Sequence, residues 1–291
     1  MFDLIQVGTH TWYIECPARM GIYRTDEAHA ILIDAGNDDR DAEQILDHFA
    51  RQGWTLSALL NTHAHADHIG GNRTILDRTG CTAYAPEIEA AFTHDVLLEP
   101  AILYGGAPPR QIWGKFLYAA PSHARPLSEF TLPAGLSATP LPGHSQDMYG
   151  YCTDDGVWFL GDCLVSEKIL EKVGITYVYN IVQYLETLDR VEQLQGNLFI
   201  PSHAKPVEQI GPLVRQNRTK VYEITERIRT FCDGAETDEI TRRVFRHYNL
   251  HMSLSQYALI GSTVRAYLSM LLDRGDIAFE LDDYRVLWRK V

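Results

Sequence analysis

The chain has 291 residues, 45% hydrophobic and 22% charged, with 38 Asp and Glu against 26 Lys and Arg for a formal charge of −12. That length suits one large domain or two smaller ones, and the composition excludes a disordered or collagen-like chain. The acidic balance weighs against non-specific binding to a polyanion, and so against a nucleic-acid partner, while leaving room for a small local basic site.

Residues 1–8 lack a basic region and a long apolar core, so no signal peptide is expected and a cytoplasmic location is the default. No apolar run reaches the ~18–20 residues of a membrane span. Residues 2–36 read as short strands, the apolar run 31–36 ending in Gly36 like a buried strand entering a turn. Ala42, Ile45, Leu46, Phe49 and Ala50 form one stripe of a helix over 40–53, stopped by Gly53. A strand follows over 56–61, and alternating helix and strand predicts a layered architecture. Residues 86–130, broken by Gly105-Gly106 and several prolines, read as a helical, lid-like insertion over the main body. Its Tyr104, Trp113, Phe116 and Tyr118 are candidates for a pocket wall or for packing the insertion down. Strand patterning returns over 130–162, and 180–195 and 212–232 read as helices. From 236 a helix capped by Thr237, a helix over 254–272 and a hairpin over 277–290 read as a winged-helix-like unit. The five cysteines, at 16, 81, 152, 163 and 232, include no CxxC pair, which speaks against a disulfide framework or a cysteine zinc knot. Cys163 reads as a small buried apolar residue.

The strongest signal is the run Thr62-His63-Ala64-His65-Ala66-Asp67-His68, four potential metal ligands in six residues just past a predicted strand. A regular helix would spread these side chains around its cylinder, whereas a loop at a strand end turns them toward one point. Three single candidates follow, each beside a Gly or Pro turn: His144, Asp162 and His203. Imidazole and carboxylate suit Zn²⁺, Fe or Mn, and ligand softness does not separate them.

In that order these motifs, His-x-His-x-Asp-His, Gly-His, Gly-Asp and a late His, resemble the metallo-β-lactamase-fold superfamily of metal-dependent hydrolases, in its glyoxalase II-like or lactonase-like branch. The resemblance covers about residues 5–210 and fills all seven ligand positions. It implies an α+β fold, a four-layer αββα sandwich with two divalent metal ions, most simply Zn²⁺, at one edge. It assigns His63, His65 and His144 to the first metal, Asp67, His68 and His203 to the second, and Asp162 to a bridge between them. Asp34 matches a position that supports the site from behind the ligands, and Asp67 is the expected proton carrier. Lys168, Lys172, Tyr177 and Tyr179 stand where thioesterase-like members hold substrate. The implied domains are a catalytic unit over 1–211 and a C-terminal helical or winged-helix-like unit over 212–291. The latter carries eight basic and eight acidic residues over 236–291, so packing or homodimerisation is expected of it rather than nucleic-acid reading.

The implied chemistry is hydrolysis of a small ester, thioester or lactone by a hydroxide bridging two metals about 3.5–4 Å apart, its pKa lowered to about 7. The alternatives are a phosphodiesterase or ribonuclease of the same fold, an iron-dependent persulfide oxidation, and a non-catalytic regulator that binds a protein partner.

Overall fold

The computed structural model describes residues 2–114 and 117–291; Phe116 of the insertion lies outside the described residues. The chain begins with an antiparallel meander, β1 (Asp3–Gln6), β2 (Thr11–Glu15), β3 (Met20–Arg24) and β4 (His29–Ile33). Helix α1 (Asp39–Gln52) crosses to β5 (Thr55–Leu60), parallel to β4. Asp38 caps α1 by accepting from the Arg40 and Asp41 amides, and Gly53 ends it in the left-handed region at φ 70°. Helices α2 (Ala66–Ile69) and α3 (Asn72–Thr79) lead to the parallel β6 (Thr82–Ala85). The insertion supplies α4 (Glu87–His94) and α5 (Leu98–Tyr104). It does not only lie over the body: its end, β7 (Arg125–Pro126), pairs in parallel with β6 and closes a seven-stranded sheet ordered β1 to β7.

The second sheet is β8 (Leu136–Pro140), β9 (Tyr149–Thr153), β10 (Val157–Phe159) and β11 (Leu198–Ile200), ordered β11-β10-β9-β8. Helices α6 (Glu167–Val173) and α7 (Ile181–Glu192) form the crossover between β10 and β11, which are parallel. The C-terminal part comprises α8 (Gly211–Phe231), β12 (Asp233–Ala235), α9 (Thr237–His247), α10 (Leu254–Asp273), β13 (Ile277–Asp282) and β14 (Arg285–Lys290), the last two a hairpin with β12 beside β14. Thr237 is the first helical residue of α9 rather than its cap, which is Glu236. The Thr237 hydroxyl instead accepts from Trp288 Nε1 at 2.9 Å and ties the helix to the hairpin.

Side-chain alternation builds the layers. Along β4, Ala30 and Leu32 face α1 and α3, where Ile45, Phe49 and Ile75 complete an outer core. Ile31 and Ile33 face the other way and meet Tyr151, Val157 and Phe159 of the second sheet. In β5 the register with β4 slips by one residue at Ser57, so Leu56 joins the helix-facing core and Ala58 the inter-sheet core. A third core lies outside the second sheet. It runs without interruption from Trp158 and Leu160 through Leu188 of α7 and Val214 and Ile228 of α8 to Val244, Tyr267 and Leu271 of α9 and α10. Helix on sheet on sheet on helix is thus the αββα sandwich, with the C-terminal helices extending its last layer.

Candidate metal centre

The ligand candidates sit where strand ends of both sheets meet. Beyond β5 the chain turns through Asn61 and Thr62 into the loop bearing His63 and His65. The single-turn helix α2 then carries Asp67 and His68. Asp34, just past β4, is buried with its backbone at φ 63°, an uncommon conformation for a residue with a Cβ. Its carboxylate accepts from the Thr62 amide at 2.7 Å and the Thr62 hydroxyl at 2.8 Å, and lies 2.9 Å from His68 Nδ1. That fixes the His68 ring with Nε2 facing the site, a carboxylate orienting an imidazole from behind.

The second sheet contributes from two sharp turns. Gly161, at φ 54°, lets the chain turn out of β10 so that Asp162 follows at once. Gly143, at φ 119°, lies so close to α7 that a Cβ would come within 2.3 Å of the Tyr184 amide nitrogen. His144 follows it. His203 lies beyond β11, its Nδ1 donating to the Pro17 carbonyl at 3.0 Å, which leaves Nε2 free to face the cluster.

Two groups of ligand atoms result, His63, His65, His144 and Asp162, and Asp67, His68, Asp162 and His203, each with all atoms within 4.8 Å of one another. Asp162 belongs to both. In the first, His63 Nε2 and His144 Nε2 each lie 3.0 Å from His65 Nδ1. Burial, reinforced by neighbouring imidazoles, depresses the basicity of all three, with His65 pushed down to about 3, so their ring nitrogens stand as unprotonated donors. In the second, Asp162 lies 3.1 Å from His68 Nε2 and 3.0 Å from His203 Nε2, and Asp67 lies 3.2 Å from His203. Burial opposes charge on these imidazoles, but the surrounding carboxylates outweigh it, raising His68 well above its ordinary value and His203 to about 10. Burial likewise raises the carboxyls, and the imidazoles overcome it, taking Asp67 down to about 2 and Asp162 well below the usual range.

Whether these residues fit a metal is tested by what they leave unsatisfied. Among the described residues three buried side-chain polar atoms lack a hydrogen-bond partner, and two of them, His68 Nε2 and Asp162 Oδ1, face each other here. Their 3.1 Å approach is misaligned for a hydrogen bond. Three convergent imidazole nitrogens are also more than one proton can serve. The donor set fits divalent zinc, iron or manganese.

Two residues the sequence did not single out complete the surroundings. Glu89 of α4 is buried; it accepts from the Ala64 amide at 2.9 Å, the Ser145 hydroxyl at 2.6 Å and the Asp147 amide at 3.0 Å. It thereby ties the loop of His63 and His65 to the loop of His144. Glu99 of α5 lies 3.8 Å from His65 Nε2, the ring nitrogen facing away from the cluster. Glutamates in the first turn of short helices carry no signature; only their closeness in space to the ligand loops reveals them.

Of the expected substrate contacts, the Tyr177 ring lies 5.5 Å from that of His65 and 5.8 Å from that of His144. Lys168 and Lys172 are exposed on α6, along a cleft shared with Arg19, His203 and Lys205. Tyr179 is an exposed ring whose backbone amide donates to the Gly143 carbonyl at 3.0 Å. Trp113 and Tyr118 of the insertion stack on each other, centroids 5.7 Å apart, and Tyr104 is exposed. Cys163 is fully buried among apolar neighbours.

The family model of the metallo-beta-lactamase superfamily matches residues 14–203. A beta-lactamase-like protein 2 homolog of Drosophila melanogaster is 24% identical over 194 residues, 62% of this chain and 56% of that protein. A hydroxyacylglutathione hydrolase of Shewanella denitrificans is 25% identical over 190 residues, 63% of this chain and 57% of that one. This chain therefore spans little more than half the length of either relative. Among solved structures, a beta-lactamase domain protein of Burkholderia ambifaria superposes with a TM-score of 0.75 at 19% identity, over 99% of this chain and 94% of the other. A metallo-beta-lactamase family protein of Thermus thermophilus superposes with 0.70 at 16% identity, over 100% and 98%. Both likenesses concern the fold, and both include the C-terminal helices and hairpin.

Proposed function

Since the chain belongs to the metallo-beta-lactamase superfamily, we propose that it is a metal-dependent hydrolase acting on a small ester, thioester or lactone. In this reading His63, His65 and His144 hold one divalent cation, most simply zinc, Asp67, His68 and His203 hold a second, and Asp162 lies between them. The observation that carries it is the sharing of Asp162 by two ligand groups that leave His68 Nε2 and Asp162 Oδ1 without hydrogen bonds.

Two bound cations supply Lewis acidity and a water of lowered pKa. The chain does the rest. Asp34 holds the His68 ring in place through Nδ1. Glu89 keeps the two histidine loops in register. Asp67 is ionised at neutral pH and partly exposed, so its Oδ2 accepts a proton and passes it to the departing sulfur or oxygen. The Tyr177 phenol, held protonated by its burial, serves as a hydrogen-bond donor to substrate. Lys168, and more remotely Tyr179, are the remaining proposed substrate contacts. The acidic net charge favours a small substrate over a polyanion.

The test is metal content by plasma mass spectrometry on protein purified without added metal, with the same sample screened against thioesters, lactones and phosphodiesters. Near two metals per chain with ester, thioester or lactone turnover is the expected result. Phosphodiester turnover alone would replace this reading with a nuclease, one iron without hydrolysis with sulfur oxidation, and little metal without turnover with a binding role.

A further inference from the structure

Beside the metal centre lies a cavity of about 540 Å³, with His144 and Asp162 at one end. Its walls are apolar: Ile169 and Val173 from α6, Ile175 beyond it, Tyr184 from α7, and Leu259 and Ile260 from α10. Among the described residues Lys172 is the one lining residue with a fixed positive charge, and it is exposed. A second, smaller cavity of about 300 Å³ adjoins it, and His144, Tyr177, Gln256 and Leu259 line both. Asp67 and Glu99 also line that smaller cavity, and burial pushes the Glu99 carboxyl well above the usual range. A volume of this size is typical of a small-molecule site, and it is far more than an acetyl group needs. A phosphodiester chain would find apolar walls in the larger cavity.

We propose that the larger chamber receives a medium-length apolar acyl arm. This rests on the reading of the centre as an acyl hydrolase and names its substrate class. In the reaction, water adds its oxygen to the acyl carbon as the C–S or C–O bond breaks. One proton of that water passes to the leaving sulfur or oxygen, and the products are a carboxylic acid and a thiol or alcohol. The C-terminal unit thereby acquires a second role beyond packing. Leu259 and Ile260 belong to its helix α10, so this unit builds one wall of the chamber and sets how long an acyl arm fits.

The experiment has a binding arm and a turnover arm. Straight-chain carboxylates from acetate to decanoate are titrated calorimetrically into the protein as purified. N-acetylcysteamine thioesters of the same acids are assayed for hydrolysis. Burying a methylene is worth about 0.8 kcal/mol, so Kd and kcat/KM are expected to improve about fourfold per methylene until the chamber is full. Leu259→Trp, from the α10 wall, and Ile169→Trp, from the α6 wall, are each expected to flatten that slope and weaken decanoate at least tenfold. Binding that ignores chain length in the unaltered protein overturns the proposal, as does a slope that neither variant changes. The unaltered protein decides alone if both variants fail to fold. Chain-length-dependent binding without hydrolysis of any thioester keeps the chamber and removes the hydrolase. Hydrolysis with flat binding and flat kcat/KM removes the chamber and keeps the hydrolase.

Discussion

At the scale of single residues the centre rests on Asp162, the one carboxylate common to both ligand groups. Replacing Asp162 by Ala is expected to lower metal content and turnover together, because each group loses a donor at once; a variant retaining two metals and full activity would show the assignment to be wrong. Asp34→Asn leaves every ligand in place but weakens the hold on His68 Nδ1. Metal affinity should fall about 10–100-fold, the usual cost of losing a partner behind a ligand, read by competition with a chromophoric chelator. The same residues fix a pH dependence in the metal-stripped protein. His203 is raised to about 10 and His68 is raised as well, so their contribution to stability is fully present below pH 6.5 and is lost as pH rises through their folded values. Cations compete for the same imidazoles in their neutral form, so metal binding strengthens as pH rises. The gap in melting temperature between loaded and stripped protein should therefore widen from pH 6.5 to pH 9, and a constant or narrowing gap would contradict the imidazolium–carboxylate pairs. The cluster over residues 63–68 was legible by itself, whereas His144, Asp162 and His203, single residues beside turns, were singled out by their order after it and by the resemblance that order carries. Glu89 and Glu99 were not, because an acid in the first turn of a helix is ordinary, and its meaning here lies in what the fold brings opposite it.

Among the elements, the turns matter more than the strands they end. His144 reaches the cluster only because Gly143 takes φ 119° against the backbone of α7. Gly143→Ala puts a methyl carbon within 2.3 Å of the Tyr184 amide nitrogen. Backbone strain alone should cost about 1–3 kcal/mol, and relieving the clash moves His144 away from His65. The expected outcome is a lower melting temperature together with weaker metal binding; loss of stability with unchanged affinity would show that His144 is not held by this turn. Regular periodicity made α1 and the strands flanking it readable, since Ala42, Ile45 and Phe49 form one stripe. The pairing of β7 was not readable: two residues, Arg125 and Pro126, carry no alternation, and their place at the sheet edge is set by what the insertion packs upon. The same holds for Trp113 and Tyr118, whose aromatic character left a pocket wall and packing of the insertion both open, and which stack on each other.

For the whole molecule, the question is how far the C-terminal unit depends on the sandwich. A change of texture near residue 236 marked the unit in the sequence, but its attachment was invisible there, because α8 reads as one amphipathic helix whichever neighbours it has. In the fold α8 has neighbours on both sides. Leu188 of α7 and Tyr267 and Leu271 of α10 belong to the same apolar core as its Val221, Ile224 and Ile228. Removing residues 236–291 would strip that face of α8 and open the α10 wall of the chamber beside Asp162. Buried apolar side chains contribute about 1.5–3 kcal/mol each, and a domain of this kind is stable by only about 5–15 kcal/mol in total. Uncovering the three α8 residues alone is thus comparable with the entire margin. The truncated chain is expected to be poorly soluble or to lose cooperative thermal unfolding, and added metal should restore only part of that loss. Calorimetry on the full and truncated chains decides the point. One cooperative transition in the full chain and none in the truncated one is the expected pair. A truncated protein that melts as sharply and binds as much metal would mean that the sandwich folds alone and that the shared core is an interface between two independent units.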